Sequence, residues 1–207
     1  MERHMLIAFP HPDDEAMSVS GTIIHCIQEG VPVTYACGTL GEMGRGMGQP
    51  FFANRETLPE VRKKELQAAC KVMGIQDLRM MGFRDKTLEF EDQEVVADKL
   101  YAIVKETKPS LVITFYPGYA VHPDHDAYGA AMITALKRLP ENERPTIHCR
   151  AFSRNCEDFI GQPDVINDVA DVAEQKKEVI RSHKSQQGVI RNPDDIDIVE
   201  TFWTYKI

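Results

Sequence analysis

Pro10-His11-Pro12-Asp13-Asp14-Glu15 puts ionisable side chains at four of five consecutive positions, His11 to Glu15. An apolar run, Met5-Leu6-Ile7-Ala8-Phe9, leads into it and is long enough for one buried strand of a parallel sheet. After it the pattern turns helical, from Ala16 to about Glu29, and Gly30 ends the segment. The charged cluster therefore sits in the turn between a strand and a helix. In open α/β sheets the carboxyl end of a strand is where ligands bind. Without a partner, these groups would repel one another and lose solvation. A bound cation is the simplest partner, because it inverts the local charge balance. The plainer reading is an acidic helix start, with Asp13 or Asp14 as N-cap and the rest solvated.

Outward from this stretch, strand and helix patterns alternate as βαβ units require. Val31 to Gly38 reads as a second strand. A polar, Gly-rich loop follows from about Thr39 to Asn54, then a helix from about Leu58 to Met73. Asp77 to Gly82 reads as a short strand, Gln93 to Lys108 as a helix and Leu111 to Phe115 as a second clearly buried strand. A helix from about Asp126 to Leu139, a strand from Thr146 to Phe152, a helix from about Asp171 to His183 and an edge strand from Ile198 to Tyr205 complete the chain. No repeat or linker interrupts it. The expectation is one domain, residues 1–207: an α/β fold with a mostly parallel sheet and helices on both faces. Gly41, Gly44, Gly46 and Gly48 lie inside a long loop rather than between a strand and a helix, so they read as a mobile substrate loop and not a nucleotide cradle.

Composition narrows the partners. The 207 residues carry a formal net charge of -8, which disfavours nucleic acid and anionic membranes. No apolar run approaches the ~20 residues of a membrane span, and no signal-peptide pattern is present. Cys26, Cys37, Cys70, Cys149 and Cys156 are dispersed with no Cys-x-x-Cys pair, which fits reduced thiols in a cytoplasmic protein. A homo-oligomer is left open.

A second cluster follows the second buried strand: Val121-His122-Pro123-Asp124-His125, just before a helix. If the two buried strands are neighbours, both clusters face one crevice at the topological switch point. His11, Asp14 and His125 then supply a two-histidine, one-carboxylate set. Catalytic zinc takes three such ligands and keeps a position for water. Non-haem iron(II) accepts the same triad, so residue types leave Zn2+ and Fe2+ both open.

Together the two motifs resemble the LmbE-like (PIG-L superfamily) metal-dependent N-deacetylases, whose signatures look like His-Pro-Asp-Asp-Glu near the N-terminus and His-Pro-Asp-His in the middle. Thr39-Leu40-Gly41-Glu42, Arg62 with Glu65, and Ser185-Gln186 also resemble recurring features of that family. The resemblance implies a Rossmann-like fold and hydrolysis of the N-acetyl group of an N-acetylglucosaminyl conjugate. The bacillithiol-pathway members that act on N-acetylglucosaminyl-malate look most similar. It implies His11, Asp14 and His125 as metal ligands, Asp13 as general base, His122 as oxyanion stabiliser and Asp124 as the residue that orients His122 and raises its pKa. Tyr119 lies one position further from His122 than the family's tyrosine does. Arg45, Arg55 and Arg62 are candidates to clamp a substrate carboxylate, and His183 to close over the site. The alternatives are deacetylation of another N-acetylglucosamine compound, a thiol-conjugate amidase, an iron(II) oxygenase on the same triad, or a non-catalytic sugar-binding module.

Overall fold

The apolar pentapeptide Met5–Phe9 forms β1, an interior strand of a seven-stranded sheet. The computed structural model describes residues 2–190 and 192–207. In chain order the elements are β1, α1 (Asp14–Ser18), α2 (Ser20–Gln28), β2 (Val33–Cys37), α3 (Leu58–Met73), β3 (Asp77–Met80), α4 (Gln93–Thr107), β4 (Leu111–Phe115), α5 (Pro123–Lys137), β5 (Thr146–Arg150), α6 (Cys156–Ile160), β6 (Val165–Asp168), α7 (Ala173–Ser182) and β7 (Val199–Thr204). Several short 3-10 turns lie between them.

The sheet order is β3-β2-β1-β4-β5-β7-β6. The pairs from β3 to β5 are parallel, and β7 runs antiparallel to both β5 and β6. β1 lies between β2 and β4, so the strand order reverses there and opens a crevice at the carboxyl ends of β1 and β4. The two-residue period of a strand splits the core. Met5, Ile7 and Phe9 pack into one layer with side chains of α2, α3 and α7, whereas Leu6 and Ala8 pack with α4 and α5. All five are fully buried, as expected for a strand covered on both faces.

Three readings of the sequence change. The first helix begins earlier, at Asp14, and breaks at Val19 into α1 and α2. The cause is distant: the Glu200 carboxylate, on β7, accepts the Gly21 and Thr22 N–H groups at 2.9 and 2.8 Å and so caps a new helix start. The helix expected from Asp126 starts at Pro123, because His122 caps it with Nδ1 accepting the Asp124 N–H at 3.1 Å. Finally, β7 is not an edge strand. β6, which lacks an apolar run, pairs with it and forms the edge.

Candidate active site

Both charged stretches lie at the crevice. β1 delivers His11 to its end and α1 starts with Asp14, while the first turn of α5 carries His125. α5 sits close to β4 because residue 129 is glycine: a Cβ there would lie 2.4 Å from the Phe115 carbonyl oxygen. His125 is further fixed by Phe115, stacked on its ring at 4.1 Å, and by its Nδ1, which donates to the Ala120 carbonyl at 3.0 Å. Asp13 at φ 102 and Val121 at φ 67 hold left-handed backbone, one beside each histidine cluster. Such strain in residues other than glycine costs of order 1–3 kcal/mol and clusters at functional sites. Asp13 occupies the N-cap position, but its side chain makes no capping bond.

His11 Nδ1, Asp14 and His125 Nε2 converge. His11 Nδ1 is 3.2 Å from His125 Nε2 and 3.4 Å from Asp14 Oδ2, and His125 Nε2 is 3.2 Å from Asp14 Oδ1. A tetrahedral zinc with bonds of about 2.0–2.1 Å separates its ligand atoms by about 3.3 Å. The donor set therefore fits a single cation. Charge argues the same way. Asp14, Asp85 and Asp124 all crowd His11, within 3.1–3.4 Å of its ring nitrogens. A second grouping brings His122 together with His11 and His125. A third, His11 with Asp85 and Asp124, gathers instead at His11 Nε2, which is 3.1 Å from Asp124 Oδ2 and 3.2 Å from Asp85 Oδ1. Carboxylates on the far nitrogen of a metal-binding histidine are the usual means of fixing its tautomer.

These neighbours set the ionisation states. Burial opposes charge on His11, but Asp124, Asp14 and Asp85 outweigh it and hold its pKa well above the usual value. Burial would raise Asp14, yet the His125 and His11 rings hold it well below the usual carboxylate range. Asp13 moves the other way. Burial, opposed by Arg62 and reinforced by Asp14, pushes it up to about 6.

The expected role of Asp124 needs correction. Its carboxylate does not touch the His122 ring. Instead it faces His11 and accepts the Lys86 and Leu88 N–H groups at 2.7 and 3.1 Å. The contact with His122 runs through the Asp124 backbone N–H to Nδ1, which leaves Nε2 as the protonated nitrogen of a neutral ring. The pKa of His122 is lowered rather than raised, by burial and by the His11 and His125 rings, which together outweigh Asp124.

A cavity of about 500 Å³ opens onto these groups, lined by His11, Asp13, Asp14, His122 and His125. Arg45 lines it. Arg62 lines it too, but is no free clamp: it is buried and donates to Asp13 Oδ2 at 2.7 Å, to Gly41 O at 3.0 Å and to the Pro12 carbonyl. Arg55 lies outside the lining and donates to the Gly44 carbonyl at 2.7 Å, pinning the Gly-rich loop. Tyr119 packs edge-on against Tyr116 and is not part of the lining. His183 does not close over the site. It is fully buried, with Nε2 2.7 Å from Glu15 Oε1. Glu15 Oε2 in turn accepts the Asp13 N–H at 3.0 Å and the Tyr35 hydroxyl at 3.2 Å, so this network sets the backbone of Asp13.

Asp85 and Lys86 also line the cavity and were not anticipated, and Gln186, quoted above only as a family feature, lines it too. The signal for Asp85 was topological: it follows β3, another parallel strand ending at the same side of the sheet. Gln186 exchanges bonds with the Gly46 backbone at 3.0 and 3.2 Å, a pairing across 140 residues.

The model of the PIG-L family, described as GlcNAc-PI de-N-acetylase, matches residues 6–136. A probable N-acetyl-alpha-D-glucosaminyl L-malate deacetylase 2 of Bacillus cereus is 53% identical, with 100% of this chain and 99% of that protein covered. A protein of the same description from Bacillus subtilis is 50% identical over the same shares. Among solved structures, N,N'-diacetylchitobiose deacetylase from Pyrococcus horikoshii superposes with a TM-score of 0.77 at 23% identity, covering 99% of this chain and 84% of that one. This last likeness speaks for the fold.

Proposed function

Because the chain belongs to the PIG-L family of de-N-acetylases, we propose that its cavity hydrolyses the N-acetyl group of N-acetylglucosaminyl-malate, releasing acetate and the free amine as a step of bacillithiol synthesis. The observation that carries this reading is the convergence of His11, Asp14 and His125 to within 3.2–3.4 Å of one another beside Asp13. The substrate is inferred from the two Bacillus relatives, matched along almost their whole length.

His11 Nδ1, Asp14 and His125 Nε2 would hold the cation, with zinc assigned and iron(II) the alternative for the same donor set. When bound, such a metal polarises the acetyl carbonyl and acidifies water enough for it to lose a proton near neutral pH. Asp13 is assigned the general base. Arg62 engages its Oδ2, and Oδ1, which has no partner among the described residues, takes the proton of the attacking water. Burial raises the pKa of the Asp13 carboxyl, which favours proton uptake there. His122, with Nδ1 committed to the Asp124 N–H, offers Nε2–H to the developing oxyanion as a neutral donor. Asp124 and Asp85 hold the His11 ring from its far side. The proton collected by Asp13 goes on to the departing amine as the C–N bond breaks.

A panel of N-acetylglucosaminides that differ only in the aglycone, assayed for acetate release with the zinc-loaded protein, tests the proposal. Highest kcat/KM on the malate conjugate is expected. Acetate release from none of them would reject the reading.

A further inference from the structure

Three cationic side chains line the cavity: Arg45, Arg62 and Lys86. Arg62 is committed to Asp13 and to two carbonyls, as described above. Arg45 and Lys86 are exposed, and neither side chain has a hydrogen bond or ion pair to the described residues. The same cavity displays Asp13, Asp14 and Asp85, within a chain of net charge -8. Entry of a dicarboxylate aglycone beside these carboxylates is favoured by cationic side chains for it to meet.

The backbone at Lys86 is built rather than incidental. It holds φ 63, a conformation that favours glycine, yet a lysine stands there. Its N–H donates to the buried Asp124 carboxylate at 2.7 Å, and the preceding residue, Asp85, bonds His11 Nε2 at 3.2 Å. The root of this side chain is thus tied to the two carboxylates that hold His11. Arg45 approaches from the Gly-rich loop, whose neighbouring residues are also tied down: Met43 N–H donates to Asp85 at 2.8 Å and Gly46 pairs with Gln186.

Resting on the deacetylase reading above, the geometry points to Arg45 and Lys86 as the aglycone-recognition pair: each meets one carboxylate of a dicarboxylate aglycone. Arg45 supplies a planar, two-pronged donor and Lys86 a point charge. The pair, and not Arg55 or Arg62, makes the site selective for a dianionic conjugate over a neutral glycoside of the same sugar.

The experiment compares kcat/KM for N-acetylglucosaminyl-malate and for methyl N-acetylglucosaminide in the zinc-loaded parent, Arg45→Gln, Lys86→Gln, the double variant and Lys86→Arg. Each single glutamine variant should lower the malate-to-methyl ratio by about tenfold, the scale of one charge-assisted hydrogen bond. The double variant should lower it by about 100-fold if the two act independently. The loss should fall mainly on KM, and Lys86→Arg should retain most of the preference. An unchanged ratio overturns the assignment, and so does a parallel fall on both substrates, which would mark a structural role. Calorimetric binding of the malate conjugate runs alongside and needs no turnover. If the parent releases acetate from neither compound, the deacetylase reading fails. The pair is then judged by binding alone: loss in the double variant supports it and retention overturns it.

Discussion

Replacing His183 by alanine strips the hydrogen-bonded partner from a carboxylate that water cannot reach. The His183 and Glu15 side chains are both 0% exposed, and Nε2 lies 2.7 Å from Oε1. Removing one member of a buried pair typically costs about 3–5 kcal/mol, because the survivor is left charged and unpaired. Glu15 keeps two donors, the Asp13 N–H and the Tyr35 hydroxyl, which places the expected loss near the lower end, about 3 kcal/mol. In a chain of this size each kcal/mol shifts Tm by about 2–4 °C, so His183→Ala should melt about 6–12 °C lower. Urea unfolding gives the free energy directly. The effect also has a pH signature. Burial opposes charge on His183, but the charge and hydrogen bond of Glu15 win and raise its pKa above the usual histidine value. A group with a raised folded-state pKa stabilises fully below its unfolded pKa, about 6.5 here. That contribution is lost as pH climbs through the folded value. The stability gap between parent and His183→Ala should therefore be fully present below about pH 6.5 and shrink as pH rises above it. A loss under about 1 kcal/mol, the range of an exposed pair, would mean that His183 and Glu15 do not act as a buried pair. So would a gap that widens with pH.

Asp13→Asn should keep its metal, measured by elemental analysis, and slow turnover by roughly 10²- to 10⁴-fold, the scale of lost general-base help; near-normal turnover would move the base elsewhere. Asp124→Asn should weaken metal affinity by about 10- to 100-fold, since the carboxylate steadies His11. Unchanged affinity with a slower rate would return Asp124 to the role of serving His122 alone. His122→Ala should retain its metal and lose ~10²- to 10³-fold in kcat, as for one oxyanion donor. Loss of the metal would make it a ligand.

The parallel core was legible because buried parallel strands read as unbroken apolar runs. Met5–Phe9 and Leu111–Phe115 were visible to the residue. Their adjacency, on which the meeting of His11 with His125 depends, could only be posed as a condition in the sequence. The sheet order supplies it. What escaped notice depends on long-range partners. The break at Val19 is explained by Glu200, and the seat of His183 by Glu15, 168 residues away. β6 alternates half-buried and exposed residues and carries no apolar run to announce it. Arg62 and Arg45 look alike in a sequence. Only packing shows that the first is spent on Asp13 while the second lines the cavity with no partner among the described residues.

Deacetylation is proposed to require a single cation held by His11, Asp14 and His125. Titrating zinc into the chelator-stripped protein while following acetate release from N-acetylglucosaminyl-malate tests it most directly. Activity should rise linearly and level off at one equivalent per chain, and His125→Ala should show no such rise. Full acetate release from the metal-free protein, or an undiminished titration in His125→Ala, would contradict the account.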